Sequence, residues 1–207
     1  MAVITISRQF GAGGKTLGKL VAKKMGYSLA DEDIIQKVAD KVNVSKDCVK
    51  FIEQEAGGTL LKFMSGLVAK NYIERILGVD KGHIDEEVYV DALREIITHA
   101  AREDNVVIVG RAGQYILQDH PKAFHVLLVA EKEDRIKFME KHYSLSRTEA
   151  ENVVDVYGKR RTNLYRMFGK QDYDQPSLYH IVLNMSKLNM DMDRAAELVT
   201  GMISCPA

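Results

Sequence analysis

Two cysteines in 207 residues, Cys48 and Cys205, are too few and too far apart for a disulfide framework or a structural zinc site. They read as two buried or incidental thiols in a reducing compartment. An excess of charge of either sign is also missing. With 29 basic and 29 acidic side chains, bulk charge favours neither a nucleic-acid groove nor a membrane surface, so any anion site must be local. No apolar run approaches the roughly 20 residues that span a bilayer. The opening MAVITI turns polar and glycine-rich too soon for the apolar core of a secretion signal. The expectation is a cytoplasmic protein with neither nucleic acid nor membrane as partner. Internal repeats and low-complexity tracts are absent, and none of the six histidines has the i,i+4 or clustered spacing of a metal site.

What is present is an ordinary globular composition, 46% hydrophobic and 28% charged, in a chain long enough for one domain with a substantial core. AVITI (Ala2–Ile6) is apolar and β-branched throughout, as in a strand buried on both faces. Leu17, Leu20, Val21 and Met25 follow at helical spacing, and Gly26 is placed to stop that helix. YSLA is a short extended piece leading to Asp31 and a helix with Ile34, Ile35 and Val38. Residues 45–103 read as a helical insertion in which Leu60, Leu61, Met64, Leu67, Val68 and Ile76 form an apolar stripe, either core or a homodimer contact. NVVIVG (Asn105–Gly110), FHVLLVA (Phe124–Ala130) and HIVLNMS (His180–Ser186) read as further buried strands. Ser146 and Glu149 have capping-box spacing at the head of a long helix, and Asp191 is placed to cap the last one. Strands alternating with helices imply a three-layer α/β fold, a parallel sheet flanked by helices.

SRQFGAGGKT (Ser7–Thr16) lies between the first strand and the first helix. A phosphate loop needs backbone N–H groups turned inward, a helix N-terminus behind them and a cation. Gly11, Gly13, Gly14 and Lys15 supply these ingredients, and Gly14-Lys15-Thr16 matches the end of the G-x-x-x-x-G-K-[ST] pattern. Gln9 stands where that pattern has its first glycine. Two other readings remain: a tight connection with a solvated lysine, and a dinucleotide-binding turn with Asp31 or Asp33 as the ribose acid.

Taken in order, ITISRQFGAGGKTLGKLVAKKMGY, VIVGRAGQYIL, HVLLVAEKEDRI, VYGKRRTNLYRMFG and PSLYHIVLNMSKL make the chain similar to the cytidylate kinase-like family of P-loop nucleoside monophosphate kinases. The resemblance implies a five-stranded parallel sheet, a helical NMP-binding region and a lid, here about residues 143–172. It also implies transfer of the terminal phosphoryl of ATP, with Mg²⁺, to a small phosphorylated acceptor such as CMP. Aligned without gaps, Arg8 takes the place of the first loop glycine, Gly14 that of the lysine, and Lys15 comes one residue late. Gly11, Ala12, Gly13, Gly14, Lys15 and Thr16 would then cradle the donor phosphates, with Arg8 adding charge and the Thr16 hydroxyl reaching Mg²⁺. Asp31 resembles the acid opening the NMP-binding region. Gly110-Arg111 resembles a Gly-Arg-Asp acceptor motif in which Ala112 replaces the acid. Lys159, Arg160, Arg161 and Arg166 look like an arginine-rich lid.

Each of these has a simpler reading. Arg111 follows a buried strand, at the sheet edge where α/β proteins bind ligands, and either grips an acceptor phosphate or forms a structural ion pair. Lys159, Asn163, Arg166 and Lys170 recur at helical spacing, as on a solvated helix face, whereas Arg160 and Arg161 point elsewhere. Asp31 and Asp33 suit a ribose, a metal or a helix cap. Tyr173 and Tyr179 pack in the fold or against a base. The leading expectation is an ATP-dependent phosphotransferase, ahead of a nucleotide-binding or regulatory protein without transfer and of a dinucleotide-binding module.

Overall fold

The computed structural model describes residues 2–41, 86–102 and 104–204. Both cysteines, Gly57-Gly58 and the Leu60–Ile76 stripe with its dimer contact lie outside the described residues.

Five strands, β1 (Val3–Arg8), β2 (Ser28–Ala30), β3 (Val106–Val109), β4 (Ala123–Val129) and β5 (Ile181–Asn184), form one sheet. All pairings are parallel and the order is β2-β3-β1-β4-β5. A parallel sheet covered on both sides takes continuous apolar strands, which is why β1 and β3 show no alternation. Ile4 and Ile6 are fully buried, which stabilises the fold by roughly 1.5–3 kcal/mol for each side chain. Pairing with β4 carries β1 past the apolar run, since Ser7 lies opposite Leu127 and Arg8 opposite Leu128. HIVLNMS is shorter and less buried than its composition suggests. As the edge strand β5 it pairs on one side only, and Val182 is 38% exposed.

The helices are α1 (Gly14–Met25), α2 (Glu32–Lys41), α3 (Glu86–Arg102), α4 (Gly113–Ile116), α5 (Lys132–Tyr143), α6 (Arg147–Met167) and α7 (Met192–Ser204). Gly18 brings α1 close to the sheet, where a Cβ would stand 2.6 Å from Val109 Cγ2 and 3.8 Å from Ile6 Cδ1. A Cβ on Gly113 of α4 would stand 3.4 Å from both Thr5 Cγ2 and Ile108 Cγ2. Thr5 and Ile6 are neighbours in one strand and so face opposite ways. Helices therefore cover both faces, and the fold is three-layered.

Gly26 ends α1 in the left-handed region. The Ser146 N–H donates to Glu149 Oε2 at 2.8 Å and the Ser146 hydroxyl to the same oxygen at 2.6 Å, which completes the capping box of α6. Asp191 Oδ1 accepts the Arg194 N–H at 3.0 Å at the head of α7. Two local expectations change. The helix after Asp31 already begins at Glu32, so Asp33 lies inside α2 and does not cap it. Lys170 follows the end of α6, where its N–H donates back to the Tyr165 carbonyl at 3.0 Å, so it does not extend the helical face of Lys159, Asn163 and Arg166.

The chain divides into two compact units. The first comprises Met1–Asp31, Ile97–Gly158 and Asp174–Ala207. It holds the whole sheet and a core that includes Ile4, Ile6, Leu17, Val21, Val126 and Leu128. Within it His125 is 4% exposed, and its Nδ1 lies 2.7 Å from Thr5 Oγ1. The pair joins β4 to β1 inside the core. Burial first, and the neighbouring His180 second, pull the His125 pKa down to about 4. The second unit comprises Glu32–Ile96 and Lys159–Tyr173. Inside it Lys41 pairs with Glu95 at 2.6 Å and the Arg94 guanidinium lies 5.3 Å from the Phe168 ring centre. Among the described residues no helix is long and apolar enough to cross a membrane.

Candidate phosphate-binding site

The turn between β1 and α1 is built to leave its amides available. Gly11 (φ 88°) and Gly13 (φ 85°) adopt the left-handed region, which glycine enters without steric cost. The Gln9 and Ala12 N–H groups are used internally, donating to the carbonyls of Leu128 and Gln9 at 3.0 Å each. The Leu17 N–H closes the first helical bond onto the Gly13 carbonyl at 2.9 Å. Among the described residues, the amides of Gly11, Gly13, Gly14 and Thr16 meet no backbone carbonyl. They cluster at the positive end of α1, a 12-residue helix.

Several side chains hold this turn in shape. Gln9 Oε1 accepts the Ala130 N–H at 3.0 Å, which ties the loop to the end of β4. Arg135 of α5 donates from Nη1 to the Phe10 carbonyl at 3.0 Å and from Nε to the Ala130 carbonyl at 3.1 Å. Phe10 stacks on Tyr157 of α6, ring centres 4.5 Å apart and planes 18° from parallel. Met192 packs so closely on Gly13 that its Sδ would be 2.6 Å from a Cβ there. None of these contacts was expected from the sequence. All but the Arg135–Ala130 bond join residues more than 100 positions apart in the chain, and only the polar Gln9 at a glycine position offers a local hint.

The cations of the loop have different settings. Lys15 Nζ lies 3.6 Å from Asp31 Oδ2, with side chains 40% and 17% exposed. Arg8, the last residue of β1, sends its side chain over Gly14 and towards Gly110. Gly110 (φ 76°), Arg111 (φ 54°) and Ala112 (φ 55°) are three consecutive left-handed residues at the carboxyl end of β3. Such conformations cost of the order of 1–3 kcal/mol for each non-glycine residue and concentrate at functional sites. Arg111 is half-buried there. Just beyond, Gln114 is 2% exposed and neither amide atom is hydrogen-bonded among the described residues, another feature that composition does not reveal. Thr16 is half-buried in the first turn of α1, and Ala12 is fully buried.

The first unit thus gathers Arg8, the 9–16 turn, Lys15 with Asp31, and Arg111 along one edge of the sheet. A cleft of about 360 Å³ lies between α5 and the turn before α7, lined among others by Lys137, Phe138, His142, Ser186 and Asn189. The Phe138 ring would come within 3.5 Å of a Gly13 Cβ. Arg160, Arg161 and Arg166 belong to the second unit. There the Arg161 guanidinium lies 4.8 Å from the Tyr165 ring centre, and Arg166 donates to Asn163 Oδ1 at 3.4 Å. Among the described residues no group of three or more His, Cys, Asp or Glu is placed to hold a metal ion.

A parallel sheet in this strand order, with a glycine turn leading from β1 into α1, is an α/β fold of the nucleoside monophosphate kinase-like type. The family model described as the cytidylate kinase-like family matches residues 3–187, and the chain belongs to that family. Among solved structures, an uncharacterized protein from Eubacterium ventriosum is 19% identical with a TM-score of 0.63, covering 98% of this chain and 97% of its own. Shikimate kinase from Bacteroides thetaiotaomicron is 14% identical with a TM-score of 0.51, covering 99% of each chain. A gluconokinase from Sinorhizobium meliloti is 11% identical with a TM-score of 0.51, covering 98% of this chain and 93% of its own. At these identities the likeness is one of fold. No curated protein matches the sequence.

Proposed function

We propose that the protein is a P-loop phosphotransferase that moves the γ-phosphoryl of ATP to a small phosphorylated acceptor of the nucleoside monophosphate class, with CMP as the first candidate. The observation that carries this reading is the set of amides at Gly11, Gly13, Gly14 and Thr16 that, among the described residues, meet no backbone carbonyl at the head of α1. Hydrogen bonds from such donors to a charged phosphate contribute about 1.5–3 kcal/mol each, and the helix end adds to them. Ala12 is fully buried with its N–H on the Gln9 carbonyl, so its part is to shape the turn.

In the transfer, an acceptor phosphate oxygen forms the new P–O bond as the bond from the γ-phosphorus to the ADP oxygen breaks. The protein's part is to hold donor and acceptor in line and to spread positive charge over the transferring group. Lys15 and Arg8 contribute that charge on the loop side. Arg111, at the carboxyl end of β3, is suited to grip the acceptor phosphate with its planar fork, and Asp31 to orient the acceptor. Arg160, Arg161 and Arg166 complete the charge as a lid. The Thr16 hydroxyl suits Mg²⁺ carried by the triphosphate, which supplies further charge neutralisation.

A second reading, a nucleotide-binding or regulatory protein without transfer, is favoured by the Lys15–Asp31 pair and by Ala112 at the position of the acceptor acid. An ADP-release assay across the nucleoside monophosphates decides between them. Acceptor-dependent ADP supports the transferase. ATP affinity with no such ADP replaces it with the second reading.

A further inference from the structure

The geometry points to Arg8 as the principal cation of the phosphate site, occupying from β1 the space that a side chain at position 14 would fill from α1. This rests on the phosphate-loop reading and specifies which side chain meets the anion.

Arg8 ends β1 opposite Leu128, so the sheet holds its backbone. Strand alternation puts its side chain on the face shared by Ile4 and Ile6, the face that α1 covers. From there its stem crosses the first turn of the helix. A Cβ on Gly14 would stand 2.7 Å from Arg8 Cγ, 2.9 Å from Cδ and 3.1 Å from Cβ. These are the inner atoms of the chain, unable to swing aside as a flexible tip does. The guanidinium then reaches Gly110, where a Cβ would overlap Nη1 and stand 2.9 Å from Cζ. Two glycines, Gly14 at the head of α1 and Gly110 just past β3, therefore leave room for one side chain. Its charge comes to rest between the amide-rich turn and the left-handed turn that carries Arg111.

Lys15 is set differently, with its ammonium 3.6 Å from the Asp31 carboxylate. Arginine is also the better residue for a fixed phosphate contact. It stays charged at any working pH, and its fork makes two parallel hydrogen bonds. A lysine at position 14 and an arginine at position 8 are thus alternative ways to put one cation in one volume.

The test measures binding of Mg-ATP, and separately of inorganic triphosphate, to the full chain by calorimetry, with circular dichroism melting to establish folding. Arg8→Gln keeps the stem and removes the charge, and we expect it to weaken both ligands about 10- to 100-fold. Gly14→Lys, driven against the Arg8 stem, should lose a similar factor. The double variant Arg8→Gly/Gly14→Lys should recover most of the loss, because the new stem takes the vacated volume. Replacing Lys15 by Met should cost less than Arg8→Gln. A folded Arg8→Gln protein with wild-type affinity, or a double variant no better than Gly14→Lys alone, overturns the inference while leaving the transferase reading intact. Triphosphate binding that depends on Arg8, without ATP binding, upholds the inference and sinks the transferase reading. A wild type that binds neither ligand sinks both.

Discussion

Lowering the pH from neutrality towards 4 should destabilise this protein through one buried imidazole. In the folded chain His125 is 4% exposed, with its Nδ1 2.7 Å from Thr5 Oγ1. A second proton on the ring would place a charge in the core beside His180. The pKa accordingly falls from 6.5 to about 4. The folded value lies below the unfolded one, so the unfolded chain takes up the proton first. Stability is complete above pH 6.5 and is lost as the pH falls through the folded value of about 4. A displacement of this size corresponds to about 3 kcal/mol. That is a large part of the 5–15 kcal/mol typical of a domain. Urea unfolding at steps across this range measures the loss, and His125→Asn, which keeps an acceptor near Thr5, should flatten it. Glu133 and Glu149 are held below 4.5 by hydrogen bonds from Arg147 and Ser146 respectively, so their titration falls at lower pH. Parallel curves for wild type and variant, or an NMR titration placing His125 near 6.5, would falsify this account.

Other perturbations test the loop and the helices. Gly11→Ala forces a left-handed alanine against Arg135, whose Cβ and carbonyl oxygen would lie 2.8 and 3.0 Å from the new atom. We expect a cost of about 2–4 kcal/mol in urea unfolding. Gly26→Ala, equally left-handed but with nothing within 4 Å, should lose only the backbone part, and equal losses would remove the packing argument. Gly158→Ala, inside α6 with open space at its Cβ, should raise stability by about 0.5–1 kcal/mol. Ser146→Ala removes the capping hydroxyl of α6 and should cost about 1 kcal/mol, read as a lower melting temperature.

Much of this arrangement was legible along the chain, because its causes are local. β-branched runs mark β1 and β3, Gly26 stops α1, Ser146 with Glu149 opens α6, and the glycines of the 9–16 turn signal its left-handed bends. A parallel sheet between helices follows from the alternation of such elements, and its five strands from the family resemblance. Where reading failed, a partner remote in sequence had decided the outcome. Pairing with β4 extended β1 to Arg8, and a place at the sheet edge left β5 half exposed. The pattern around Gly14-Lys15-Thr16 likewise could not say which cation fills the space beside Gly14, since periodicity and spacing carry no information on where a long side chain comes to rest.

The sequence by itself determined the order of the strands and helices, the stops between them and a turn able to present its amides, all properties of neighbouring residues. Only the tertiary structure decided that Arg8 reaches Gly110, that Lys15 meets Asp31 and that His125 is sealed against Thr5. Those contacts arise when the sheet brings together segments up to 120 positions apart, and burial then sets their charge and geometry.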